Sequence, residues 1–111
     1  MISTKAYAAK SKTNPLAPFD FYRRSVKEND VHIETSSAFD IDIVNNLVDS
    51  GKLKEGTYVI SNGFKPAKYI ESIAKLINAD FLKVVPVVDN AEEVRNLLAA
   101  TDKDLSIGIR I

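Results

Sequence analysis

The residues able to do chemistry in this chain are few and scattered. There is no cysteine, so thiolate metal sites, cysteine nucleophiles and disulfides are excluded. The single histidine, His32, leaves no cluster for zinc or non-haem iron. His32 could act as a general base. A lone histidine in a strand is more often structural or exposed, and no neighbour in the sequence is placed to tune it. Lys65 follows a strand end and is the nearest candidate for an amine that condenses with a carbonyl. A lysine just ahead of a proline-initiated helix is ordinarily solvated, and that is the expectation for Lys65.

The remaining candidates pair badly. Asp40 and Asp42 are two apart, so they do not share a helix face and make a poor carboxylate pair. Arg23 and Arg24 could bind an anion, but on a strand they point to opposite faces. The four glycines, Gly51, Gly56, Gly63 and Gly108, are dispersed and form no phosphate-cradling loop. Tyr58, Tyr69 and Phe81 read as core rather than as a stacking platform for bases. The sequence therefore offers no catalytic set and no metal site.

The elements that must position these residues fall into two regions. Residues 1–30 read as a short antiparallel β segment. Thr4 to Ala9 is a first strand, and Lys10 to Pro18 is a polar connection holding Pro15 and Pro18. Phe19 to Arg24 alternates with period two, and Lys27 to Asp30 is a turn. Residues 31–111 read β-α-β-α-β-α-β. Val31 to Thr35 is a strand. Ser37 caps a helix carrying Phe39, Ile43, Val44, Leu47 and Val48, and Gly51 ends it. Thr57 to Ile60 is a strand, broken by Ser61-Asn62-Gly63. Pro66 at the first helical position opens a helix with the stripe Ala67, Ile70, Ile73, Ala74 and Ile77.

Phe81 to Val88 is a nearly continuous apolar strand of the kind buried on both faces, with Pro86 marking a bulge or an early end. Asn90 caps the next helix with Glu93 at its third position, and Val94, Leu97 and Leu98 form the inner stripe. Leu105 to Ile111 is the last strand. Apolar strands alternating with amphipathic helices imply a parallel sheet with right-handed crossovers. The fold class expected is α/β: a short antiparallel lead-in, then a parallel partial barrel or sheet. Whether the helices cover one sheet face or both stays open at this point.

The chain has 111 residues, with 15 Lys plus Arg against 15 Asp plus Glu. Zero formal charge argues against nucleic acid as the main partner, since such domains carry a basic excess. No apolar run approaches the ~20 residues of a membrane span, and no signal-peptide stretch opens the chain, so the expectation is a cytoplasmic protein without a membrane partner. A parallel strand left at an edge invites self-association or docking.

Two stretches carry resemblances to known families. The strand from Thr4, the phrase Pro15-Leu16-Ala17-Pro18-Phe19, the pair Arg23-Arg24 and Asp30-Val31-His32-Ile33-Glu34 resemble the start of zinc-dependent alcohol dehydrogenases of the cinnamyl type. That family continues into a cysteine-bearing zinc segment, whereas here Thr35-Ser36-Ser37 follow. Residues 32–111 resemble an internal stretch of the pyridoxal-phosphate-dependent arginine decarboxylases of the alanine-racemase-like barrel group. The phrases are His32-Ile33-Glu34-Thr35-Ser36-Ser37-Ala38-Phe39-Asp40-Ile41-Asp42, Tyr58-Val59-Ile60-Ser61-Asn62-Gly63-Phe64-Lys65, Pro86-Val87-Val88-Asp89-Asn90-Ala91-Glu92-Glu93 and Ile107-Gly108-Ile109-Arg110-Ile111. Together the two resemblances imply a fusion or fragment whose parts meet on the strand Val31 to Glu34.

The second resemblance implies roles for two residues. Glu34 matches an acidic group near the aldimine lysine, and Arg110 matches a strand arginine that approaches the cofactor ring. The family's aldimine lysine, phosphate-binding glycines and pyridine-facing acid would fall outside residues 32–111. The expectation is a barrel segment that binds no cofactor and has no catalysis on its own. The alternatives are an interaction module that completes a larger barrel, or a fragment of a zinc-dependent alcohol dehydrogenase.

Overall fold

The computed structural model describes residues 31–111 and, before them, only the backbone of β1 (Ile2–Ala8) and β2 (Ala17–Arg23). The expected connection after Ala9 and the turn at Lys27 to Asp30 lie outside the described residues, as do the side chains of Arg23 and Arg24. The elements that follow are β3 (Ile33–Thr35), α1 (Ala38–Asp49), β4 (Tyr58–Ser61), α2 (Ala67–Ala79), β5 (Lys83–Val88), α3 (Ala91–Ala100) and β6 (Gly108–Ile109).

Strands β3 to β6 form one four-stranded sheet in the order β3-β4-β5-β6, every neighbouring pair parallel. Sequential order with right-handed crossovers sends each helix to the same side of the sheet. Burial agrees. Val59, Val84 and Val88 point into one core cluster with Ile41 and Val44 of α1, Ile70, Ile73 and Leu76 of α2, and Leu97 of α3. The alternate residues Glu34, Ile60, Val85 and Val87 lie on the opposite face; Glu34 is exposed and the other three are half-buried. The helices thus cover one face.

Local signals explain where the helices start and stop. The Asp40 amide donates to Ser37 Oγ at 3.3 Å, and the Glu93 amide donates to Asn90 Oδ1 at 2.9 Å. Each cap satisfies an amide that has no partner within its helix. At the far end of α1 the Gly51 amide bonds Val48 O and the Lys52 amide bonds Leu47 O, the paired closure of a Schellman motif. That closure needs the positive φ of +71° that Gly51 adopts.

Several sequence expectations move. Pro66 is the cap of α2 rather than its first helical residue, with φ −59° and ψ 162°. Its extended ψ leaves Ala67 to begin the helix. The buried arc of α1 centres on Ile41 and Val44, leaving Phe39 and Ile43 exposed. In α2, Tyr69 and Leu76 join the buried set while Ala67 is exposed. In α3, Leu97 is buried and Leu98 is exposed. Strand β5 is buried in alternation, not on both faces, because only one face meets helices. Its pairing with β4 ends at Ser61↔Pro86, the last residue of β4, but the strand itself runs on through Pro86 to Val88 without the expected bulge or early end. Strand β6 is only Gly108–Ile109, shorter than the expected Leu105 to Ile111.

Gly51 has no atom within 4 Å of where a Cβ would sit, so a side chain there is opposed by backbone strain alone. The Gly51→Ala variant is expected to lose about 1 kcal/mol of stability in urea unfolding, with an unchanged m-value. An unchanged midpoint would contradict the Schellman closure.

Candidate functional site

The carboxyl ends of the parallel strands gather the polar residues of the fold, as expected where loops leave a sheet of this kind. Two groups form there. The first is a set of buried hydroxyls. Thr35 Oγ1 at the end of β3 lies 2.9 Å from Ser61 Oγ at the end of β4 and 2.9 Å from Tyr69 OH on α2. The Tyr69 hydroxyl also reaches Asn62 O at 3.1 Å. All three side chains are buried, so mutual bonding is what makes their burial tolerable. Burial holds the Tyr69 phenol above its ordinary pKa, partly offset by the hydroxyls of Thr35 and Ser61. Tyr69 is core, as expected; Tyr58 is 39% exposed and Phe81 is half-buried, so neither belongs to the core proper.

The second group is centred on Lys65. Gly63, at φ +80°, turns the chain after β4 so closely over Ser36 that a Cβ would lie 3.4 Å from Ser36 O. The turn aims Lys65 back across the strand ends. Its Nζ donates to Gly63 O at 2.8 Å and to Val87 O at the end of β5. It also lies 3.8 Å from Glu93 Oε2, and the side chain is wholly inaccessible. The expectation that Lys65 is solvated is therefore wrong: the Gly63 turn and the α3 terminus enclose it. Two carbonyl oxygens accept from the ammonium and a carboxylate stands 3.8 Å away, so the group is a clamp rather than a free amine.

Glu93 serves two purposes at once. Its amide is capped by Asn90, while its Oε2 accepts from the Asp89 amide at 3.0 Å. Oε1 is buried with no hydrogen-bond partner among the described residues. Asp89 in turn places its Oδ1 3.1 Å from Arg110 Nε. A line of charged residues, Lys65–Glu93–Asp89–Arg110, thus runs from the interior to the rim, with a cation at each end and the two carboxylates between them. Burial pulls the Lys65 pKa below its ordinary value, and the carboxylates of Glu93 and Asp89 resist that shift.

The two residues singled out by resemblance stand apart. Glu34 is on edge strand β3, exposed on the face without helices. Arg110 lies just past the other edge strand, its amide bonded to Val88 O at 3.1 Å. Two residues beyond Gly108, it falls on the same face as Glu34 by strand alternation. Three strand spacings, about 14 Å, separate their strands, so one copy does not bring them together.

His32 is exposed ahead of β3; its Nδ1 accepts from the Tyr58 amide at 3.3 Å, and the two rings meet edge to face. The Asp40 carboxylate accepts from the Ser36 amide at 2.8 Å and the Ser36 hydroxyl, and these bonds hold its pKa below 3.8. It has no link to Asp42. Among the described residues no three His, Cys, Asp or Glu side chains gather as a metal site. No helix there is long and apolar enough to cross a membrane.

Sequence reasoning missed Thr35, Ser61, Asp89 and the buried part of Glu93. Only Glu93 left a local signal, its place three residues after Asn90. Comparison of the chain with protein-family models, curated proteins and solved structures returns no match.

Two predictions follow from these geometries. Removing one partner of a buried pair strands the other charge, so Lys65→Met should cost about 3 kcal/mol in chemical denaturation. Adding Glu93→Gln, which stays neutral and keeps an acceptor for the Asp89 amide, should recover most of that loss; a double variant as weak as the single would contradict the clamp. The pH dependence has a definite sign. A lysine depressed in the folded state binds fewer protons than in the unfolded chain, so stability rises as pH climbs from the lowered value toward 10.5. The Asp40 contribution is present above 3.8 and is lost as pH falls through its lowered value. Thermal unfolding of Lys65→Met and Asp40→Asn across pH should flatten the alkaline and acid limbs respectively.

Proposed function

We propose that residues 31–111 are a wall segment of a (β/α) barrel of the pyridoxal-phosphate-dependent arginine decarboxylase kind, without catalysis of its own. The observation that carries this reading is the sequential parallel sheet with all helices on one face. A doubly wound sheet reverses strand order and places helices on both sides; a barrel wall does neither. The face without helices, with Glu34, Ile60, Val85 and Val87, then faces the barrel interior.

Within that reading, Glu34 and Arg110 are the residues that would approach the cofactor ring at the carboxyl ends of the strands. They supply a carboxylate and a guanidinium for orientation, and no nucleophile. Pyridoxal phosphate, when bound, supplies the electron sink for decarboxylation. Lys65 is an unfit aldimine lysine, because its ammonium is enclosed by two carbonyl oxygens and a carboxylate. Residues 1–30 are proposed as an antiparallel lead-in of the cinnamyl-alcohol-dehydrogenase kind, supported by the antiparallel register of Ile2–Ala8 with Ala17–Arg23. A cytoplasmic location accords with the helices described.

A second reading is an interaction module. It is favoured by the edge strand β6, where Ile109 is 72% exposed beside a half-covered apolar face. Such an edge is a template for another strand.

The test for the first reading is chemical. The chain is incubated with pyridoxal phosphate, reduced with borohydride and mapped by mass spectrometry. Only substoichiometric labelling spread over exposed lysines is expected. A stoichiometric pyridoxyl group at Lys65, or release of carbon dioxide from arginine, would contradict it.

A further inference from the structure

We infer that a second copy of this chain pairs with the two sheet edges: two four-stranded segments closing one eight-stranded barrel about a two-fold axis. The inference rests on the barrel-wall reading and says what completes it. Its ground is the position of the two rim charges. Within one copy Glu34 and Arg110 occupy opposite edge strands of the same sheet face, too far apart to meet. A second copy brings each edge strand against its opposite number.

The register says which residues then face each other. Glu34 is level with Ile60 and Val85, and since Val87 pairs with Gly108, Val85 is level with Ser106. An eight-stranded barrel of this class closes with a shear of about eight residues, of which each of two identical halves supplies about four. The strand ends give the direction. Thr35 pairs with Ser61 and Ser61 with Pro86, yet β5 runs on to Val88, where it pairs with Ile109. Later strands therefore extend further along the ladder. The seam partner of Glu34 is then four residues beyond Ser106, which is Arg110. Both side chains already lie on the inner face, as an even shift requires. A carboxylate meets a guanidinium at each of the two seams, with Asp89 holding Arg110 from its own side at 3.1 Å.

The closed arrangement also suits the interior. At successive levels, Ile60 with Gly108 and Glu34 with Val87 are contributed by alternate strands, so two copies give layers of four. Gly108 is the small member of its layer, where a Cβ would already touch Val87 Cγ2 at 3.0 Å. Two edge strands and one uncovered apolar face are removed together, which answers the edge hazard.

Charge reversal separates this arrangement from nonspecific association. The whole chain should sediment as a species of twice the chain mass that does not grow with concentration. Glu34→Arg alone, or Arg110→Glu alone, places like charges at both seams and should raise the dissociation constant by at least ~100-fold. Mixing those two variants restores opposite charges at both seams, so the mixture should dimerise while neither component does. The doubly substituted chain, E34R with R110E, should regain the homodimer and serves as the control for folding. A dimer indifferent to either reversal, a mixture that stays monomeric, or an open-ended oligomer would overturn the inference. So would a monomeric parent chain, and a dye for apolar surface tells the two readings apart. A monomer that binds the dye leaves the barrel wall standing without its second copy; one that does not removes both.

Discussion

A parallel strand can be followed by another only through a crossover, and right-handed crossovers between strands laid down in order put every helix on one side. Most of what distinguishes this protein follows from that constraint. Val59, Val84 and Val88 are sealed beneath three helices, while their alternates Ile60, Val85 and Val87 wait on the other face for cover. The same constraint sends all the loops that follow strands to one rim. The Thr35–Ser61–Tyr69 hydroxyls and the Lys65–Glu93 clamp are therefore neighbours in space though distant in sequence.

The clamp shows how the rim is held. Lys65 ties the loop after β4 to the end of β5 and to the first turn of α3 through a single ammonium group. Because that group is buried, its charge is tolerated only in this company, and the three elements are coupled. Glu93 passes the constraint to the Asp89 amide, and Asp89 to Arg110. An arginine that looks like a loosely placed terminal side chain is thus positioned from the core outward.

How much of this was legible in the sequence depended on distance along the chain. The caps at Ser37 and Asn90 and the closure at Gly51 were readable because each involves residues within a few positions. The alternation of strands and helices was readable for the same reason. The buried arc of α1 was off-centre, because spacing shows that a helix has an apolar side but not which of two adjoining arcs meets the sheet; Phe39 and Ile43 lost to Ile41. Lys65 was misread because its partners, Val87 and Glu93, come 22 and 28 positions later and no local pattern reports them. Strand β5 read as doubly buried since Val85 and Val87 are as apolar as their neighbours; composition records that a residue is fit for burial, not whether a helix is placed to cover it.

That distinction can be measured directly in a chain without cysteine. Single thiols are introduced as Ile60→Cys on the uncovered face and Val59→Cys on the helix-covered face of a chain that also carries Glu34→Arg, so that no second copy closes over either position, and their labelling rates are compared in dilute native solution. The account predicts rapid labelling at position 60 and labelling at position 59 only at the rate of unfolding. Equal protection of the two positions, at every protein concentration, would contradict it.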